Sequence, residues 1–144
     1  TLSGSGLIQT DTIVTDHFSV NLSGSGDING SVVSSNCNIN LNGSGSIFYN
    51  VVAQNTSTTI SGSGIIDLSG SSSNGNHVIS GSGDLNAFSF LQNIVDAKIS
   101  GSGNMYISVS EHLDATISGS GSIYYVGNPS TNINISGSGS VIIQ

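Results

Sequence analysis

Apolar and polar residues alternate along most of this chain, and the alternation returns at a fixed interval. Phe18/Val20/Leu22, Cys37/Ile39/Leu41, Val95/Ala97/Ile99 and Leu113/Ala115/Ile117 each carry apolar side chains two residues apart, with mostly Ser, Asn, Asp, Thr or Lys between them. That period of two is the signature of a half-buried strand. Each of these runs ends on a residue that precedes a Ser-Gly-Ser-Gly or Asn-Gly-Ser-Gly tetrapeptide, and a further apolar pair sits midway to the next copy: Ile13/Val14, Val32/Val33, Val51/Val52 and Phe90/Leu91. No stripe of period 3.6 persists, and helix-forming residues are scarce. The pattern predicts strands throughout and no substantial helix.

The tetrapeptide begins at Ser3, Ser23, Asn42, Ser61, Ser80, Ser100, Ser118 and Ser136, at spacings of 20, 19, 19, 19, 20, 18 and 18 residues. Leu2, Leu22, Leu41, Ile60, Ile79, Ile99, Ile117 and Ile135 precede the copies; Ile8, Ile28, Ile47, Ile66, Leu85, Met105, Ile123 and Val141 follow two residues after them. A flexible Gly/Ser linker has neither flanking aliphatics nor a period. Two or three short strands per 18–20 residues, separated by Asn, Ser and Gly corners, describe one coil of a parallel β-solenoid. The expected fold is therefore all-β: one right-handed parallel β-helix of about seven and a half coils, a single repeat domain over residues 1–144. Coils stacked at strand spacing would give a rod roughly 35–40 Å long.

Two registers are open at the tetrapeptide. The glycines share the parity of the flanking aliphatics, which turns them inward and sets the serines outward as two stacked columns linked by hydroxyl hydrogen bonds. Alternatively, Gly-Ser-Gly itself forms the bend and inverts that parity. The first is favoured. Three repeats deviate. The fourth lacks its central apolar pair, so Leu68 to Asn76 reads as a bulged loop; the third has Thr56 and Thr58 at inward positions; the seventh contains Gly127-Asn128-Pro129, a turn with proline off the ladder.

Composition narrows the function. One Lys+Arg against eight Asp+Glu leaves a formal charge of −7, and Lys98 is the only basic side chain besides three histidines. Nucleic-acid binding, which needs a basic face, is excluded. No apolar run approaches the length of a membrane-spanning helix, so no membrane insertion is expected, and no basic, apolar leader opens the chain. A lone Cys37 forms no intrachain disulfide and reads as a small core side chain in an aliphatic column.

The repeated Ile-Ser-Gly-Ser-Gly-Asp-Leu (79–85), Leu-Ser-Gly-Ser-Gly-Asp-Ile (22–28) and Ile-Ser-Gly-Ser-Gly-Ser-Ile (117–123) resemble the head GIN domain family of auto-transporter adhesins, found largely in Bacteroidota-type bacteria. The resemblance spans essentially the whole chain through its period. It implies a right-handed parallel β-helix in an extracellular or cell-surface setting, the outer membrane or periplasm in a Gram-negative bacterium. The acid after the second glycine, common in that family, occurs here only as Asp27 and Asp84, and the family's β-rich stretch ahead of the helix is missing. The family has no established catalytic residues to carry over.

The residues themselves supply little chemistry. Asp27 and Asp84 hold equivalent positions three coils apart, roughly 14 Å, too far for a hydrolytic pair. Asp96 with Lys98, and Glu111 with Asp114, read as surface charges. His17 and His112 lie five coils apart, His77 reads as a hydrogen-bonded interior residue, and calcium-binding nonapeptides are absent. No catalytic residue, metal site or cofactor is expected. Asn21, Asn29, Asn42, Asn55 and Asn134 begin Asn-x-Ser/Thr sequons, which Asn/Ser-rich sequence generates by chance. The expected function is a non-catalytic, structural or adhesin-like surface element, whose partners would be surface glycans or proteins. Phe48, Tyr49, Tyr106, Tyr124 and Tyr125, each soon after a tetrapeptide, form a candidate ligand-facing patch. The outward serine columns offer a second candidate surface, for glycans or ice. Leu2, Val141 and Ile143 are candidates for self-association by head-to-tail stacking into a fibre, since neither end of the sequence carries a polar cap.

Overall fold

In the computed structural model, which describes residues 1–144, the chain winds into a β-solenoid of about seven turns with no helix. Its strands are β1 (Leu7–Leu22), β2 (Asp27–Leu41), β3 (Ser46–Ile60), β4 (Ile65–Ile79), β5 (Asp84–Ile99), β6 (Met105–Ile117), β7 (Ser122–Val126), β8 (Ser130–Ile135) and β9 (Ser140–Ile143). Each pairs in parallel with the equivalent strand one coil away, so sequence repeats become columns: Ile28 lies on Ile8, Ile47 on Ile28 and Ile66 on Ile47. No coil can bury its own apolar side chains, and the neighbours above and below complete the core.

The coils are more continuous than the expected two or three short strands. β2 through β6 each run unbroken from one tetrapeptide to the next, because a residue at a bend still pairs with its equivalents above and below. The bend shows instead as a skip in parity. In β2, Ile28, Val32 and Ser34 are buried, Ser35 and Asn36 both lie outside, and Cys37, Ile39 and Leu41 are buried again. Two half-coils thus face each other across the core, joined at one edge by the tetrapeptide and at the other by the Ser35-Asn36 corner. The seventh coil breaks where Gly127-Asn128-Pro129 separates β7 from β8; both strands pair with β6, and the proline sits off the ladder as expected.

At the tetrapeptide the favoured register holds. Ser61 and Ser63 are exposed while Gly64 is buried, and the same pattern recurs in the neighbouring copies. The reason is close stacking of backbone on backbone. A Cβ on Gly62 would lie 2.0 Å from the Gly43 carbonyl oxygen, and one on Gly64 would lie 2.2 Å from that of Gly45 and 2.8 Å from a Leu41 methyl. Only glycine fits there. Columns of Leu22, Leu41, Ile60, Ile79, Ile99 and Ile117 on one side, and Ile28, Ile47, Ile66, Leu85, Met105 and Ile123 on the other, close the core behind it.

The fourth repeat corrects an expectation. Leu68 to Asn76 is not a bulged loop but part of β4, in register with β3 from Ser46↔Ile65 to Ile60↔Ile79. The missing apolar volume comes from the next coil: Phe90, fully buried, pairs with Gly70, and the Gln92 side chain fills the place of an absent Cβ at Gly75. The irregularity moves into β5, whose ladder with β6 shifts between Ala87 and Leu91.

Candidate functional surfaces

The interior of the middle coils includes a polar cluster. Thr56, Thr58, Ser72, His77 and Gln92 are all buried among the aliphatic columns. His77 Nε2 donates to Gln92 Oε1 at 3.0 Å, which leaves Nδ1 to accept from the Thr58 hydroxyl at 2.8 Å. Thr56 donates to Ser72 at 3.1 Å, and the Ser72 hydroxyl meets the Asn74 carbonyl at 2.9 Å. Burial lowers the His77 pKa to about 4, against the smaller opposing effects of the Gln92 hydrogen bond and the Asp96 charge. A neutral, fully enclosed imidazole is a packing element, as its inward position predicted. Cys37 is likewise buried, its thiol pushed up to about 12 by desolvation.

The five predicted aromatic residues do not come together. Tyr49 turns inward, 3% exposed, where its hydroxyl lies 2.9 Å from Thr10 Oγ1 and its ring packs against Phe18. Gly30 in the coil between makes room: a Cβ there would lie 2.6 Å from the Tyr49 hydroxyl. Tyr125 is half-buried against the core. Phe48 faces outward in the same column as Tyr106 but three coils away, with Asp67 and Asn86 between.

What does assemble is a smaller group. Tyr106 and Tyr124 stack with ring centroids 5.0 Å apart and planes 7° from parallel, and Phe88 meets Tyr106 edge-on at 5.5 Å. Beside them Asp67, Leu68, Asn86, Phe88, Ser89 and Tyr106 line a recess of about 210 Å³. The Tyr106 phenol is raised, first by desolvation and then by the charges of Asp84 and Tyr124. Phe88 was missed in the sequence, although the 20-residue spacing from Ser80 to Ser100 marks the extra residue that pushes it outward.

Two further outward columns lie elsewhere on the coil. The second members of the central apolar pairs, Val14, Val33 and Val52, stand in register and exposed, Val14 by 78%, along a shallow recess of about 580 Å³. At the Ser35-Asn36 corner a ladder of carboxamides runs from Asn36 to Asn55 to Asn74, bonded at 3.0 and 2.9 Å. The serine columns are outward but not continuously bonded: hydroxyl contacts occur at Ser3–Ser23 (3.3 Å) and Ser120–Ser138 (3.1 Å). The other tetrapeptide serines make no hydroxyl–hydroxyl contact, and Ser80 Oγ reaches the Ile60 carbonyl instead at 3.5 Å.

Lys98 and Asp96 form an exposed ion pair at 2.8 Å. No three His, Cys, Asp or Glu residues gather to hold a metal ion. Ser130, His112 and Asp114 form a hydrogen-bonded chain at 2.7 and 3.3 Å, in the order of a nucleophile, base and acid. The Ser130 hydroxyl also meets the Glu111 carbonyl at 3.0 Å, and the chain lies on open surface outside every recess. No helix is long and apolar enough to cross a membrane. At the two ends of the rod, Leu2 and Val141 pack partly against the core, while Ile143 is exposed.

The structure is thus a parallel solenoid with glycine-edged coils, a mainly aliphatic core holding a polar cluster, and open outer faces. The chain belongs to the family described as "Putative auto-transporter adhesin, head GIN domain", whose sequence profile matches residues 28–129. Solved structures share the fold. A protein from Parabacteroides distasonis, described as a "putative lipid binding protein", is 28% identical with a TM-score of 0.83, over 99% of this chain and 62% of its own. A "putative adhesin" from the same organism is 23% identical with a TM-score of 0.93, over 99% of this chain and 64% of its own. Another from Bacteroides fragilis is 16% identical with a TM-score of 0.81, over 99% and 93%. The chain therefore spans less than two thirds of the first two. No protein with a curated description matches the sequence.

Proposed function

We propose that this solenoid is a non-catalytic, adhesin-like element of the cell surface or extracellular space, and that it contacts glycans through the Phe88–Tyr106–Tyr124 group. Family membership supports the adhesin reading. The observation that carries the contact is the Tyr106–Tyr124 stack beside a recess that supplies Asp67 and Asn86. An aromatic face takes the apolar C–H side of a sugar ring, while the neighbouring carboxylate and carboxamide accept and donate to its hydroxyls. Glycan-array screening of the chain tests this. Tyr106→Ala and Tyr124→Ala should each weaken retained ligands by about tenfold, the loss of one aromatic contact. An array without ligands, or ligands indifferent to both changes, refutes the contact.

A second reading is favoured by the Val14–Val33–Val52 column, which offers an apolar partner a continuous strip, in keeping with the lipid-binding description of the 28% identical relative. Binding to phospholipid vesicles, lost in Val33→Ser and Val52→Ser, would support it over the first.

A further inference from the structure

The carboxamide corner has a recess of its own. It encloses about 430 Å³, its outward lining made chiefly by Asn36, Asn55 and Asn74 with Asn38, Ser57 and Asn76, and no lining residue is a hydrophobic one. In a chain of formal charge −7 this groove contains no carboxylate and no Lys or Arg. The nearest charged residues are Asp16, outside the groove next to His17 along the chain, and Asp96, one coil beyond Asn76 and paired with Lys98 at 2.8 Å. The surface is thus unsuited to a cation, an anionic polymer or an apolar chain. Its chemistry fits a neutral, polyhydroxylated one.

The groove is also pre-ordered. Asn55 Nδ2 donates to Asn36 Oδ1, Asn74 Nδ2 donates to Asn55 Oδ1, and Asn36 Nδ2 reaches His17 Nδ1 at 3.4 Å. A carboxamide has two N–H groups and two oxygen lone pairs. The ladder uses one of each on Asn55, so a donor and an acceptor remain for an outside partner, held at fixed orientation. In the neighbouring column, Asn38, Ser57 and Asn76 lie in register, and their side chains have no hydrogen-bond partner within the chain. Two rows of donors and acceptors therefore run along the rod at the strand spacing of about 4.8 Å. Little side-chain entropy is lost when a ligand engages the Asn36–Asn55–Asn74 row, which its own hydrogen bonds order in advance.

We propose that this groove is a binding site for an extended neutral polysaccharide lying along the solenoid axis. It is separate from the aromatic group beyond the corner on the other half-coil, and does not rest on the reading given to that group. Successive coils present the sugar hydroxyls with Asn36/Asn38, Asn55/Ser57 and Asn74/Asn76, so affinity accrues rung by rung rather than at one deep pocket.

Affinity electrophoresis and calorimetry of the chain against a soluble β-glucan, a mannan and a xylan, with polygalacturonate as the anionic control, test the site. At least one neutral polymer should bind, with an affinity unchanged between about 50 and about 500 mM salt because no charges meet. The double variant Asn38→Ala/Asn76→Ala leaves the ladder intact, and should weaken that binding at least about tenfold with unaltered circular dichroism and melting temperature. Tyr106→Ala/Tyr124→Ala should leave it unchanged. The proposal is overturned if only the anionic polymer binds, if nothing binds, if the asparagine double variant binds at full strength, or if the tyrosine variant abolishes the binding.

Discussion

The two edges of the coil solve one problem in different ways. At both, residues stack directly on their equivalents at strand spacing, and the chain must change direction. At the glycine edge the stacking is backbone on backbone: the Gly43 carbonyl accepts from both Ser63 N (3.0 Å) and Gly64 N (3.1 Å), with no room for a Cβ between. At the asparagine edge the parallel ladder also continues, Asn36 paired with Asn55 and Asn55 with Asn74, but there is room for side chains, which add a hydrogen-bonded stack of their own. The first edge repeats almost without variation in all eight copies. The second drifts from His17 through Asn36, Asn55 and Asn74 to Ile94, His112 and Ser130 along a single column. A constraint written in backbone sterics admits one residue type; one written in side-chain hydrogen bonds admits many. Variation, and with it room for ligand contacts, collects where the backbone does not forbid it.

The largest predicted effect breaks the glycine edge. Gly62→Ala places a methyl 2.0 Å from the Gly43 carbonyl oxygen and 2.7 Å from its nitrogen, both backbone atoms that side-chain rotation cannot relieve. The coils would have to part, and the cost should be at least about 3 kcal/mol, the upper range of overpacking in a close-packed site. Urea unfolding monitored by circular dichroism measures it. A loss under about 1 kcal/mol would mean the edge is held by something other than backbone contact.

That rigidity is why so much of the fold is legible in the sequence. Eight glycine pairs at fixed spacing can only be stacked rungs, and the parity of Leu22, Leu41 and Ile60 against Ile28, Ile47 and Ile66 fixes which side of each strand is inside. The fourth repeat was harder to read because its core is completed from outside its own span. Gly70 and Gly75 look like loop residues until Phe90 and Gln92 of the next coil are placed above them. The aromatic patch was only partly legible for a similar reason. Tyr49 and Tyr125 sit one residue after Phe48 and Tyr124, and a single step along a strand exchanges inside for outside. The carboxamide ladder follows from spacing alone, since Asn36, Asn55 and Asn74 are 19 residues apart, but its effect depends on a corner that turns them outward together.

The polar interior behind the asparagine edge predicts a pH dependence that the aliphatic interior behind the glycine edge lacks. His77 has a folded pKa of about 4 against 6.5 for a free imidazole, so the unfolded chain binds its proton first as the pH falls. Stability is then full above about pH 6.5, declines as the pH drops below it, and levels off near pH 4 where the folded state also protonates. The total is about 3 kcal/mol for one histidine. Urea midpoints from pH 7.5 to 4.5 should fall in the wild type, and much less in His77→Gln, which keeps polar contacts without a titrating group. Parallel curves for the two would remove His77 as the cause.

The smallest effect lies in the ladder itself. Asn55→Ala removes both bonds that pass through this rung, Asn55 Nδ2 to Asn36 Oδ1 and Asn74 Nδ2 to Asn55 Oδ1. Each hydrogen bond contributes about 0.5–1.5 kcal/mol net, and these two face solvent, which replaces them when they are lost. The expected cost is about 1 kcal/mol, well below that at the glycine edge although the two positions do the same geometric work. Asn38→Ala, one column over and without a partner in the chain, should change stability by less than about 0.5 kcal/mol. Chemical denaturation of the two variants beside the wild type measures the difference. If Asn55→Ala costs as much as Gly62→Ala, the asparagine edge bears the stack as fully as the glycine edge, and the division between a backbone-fixed edge and an adaptable one fails.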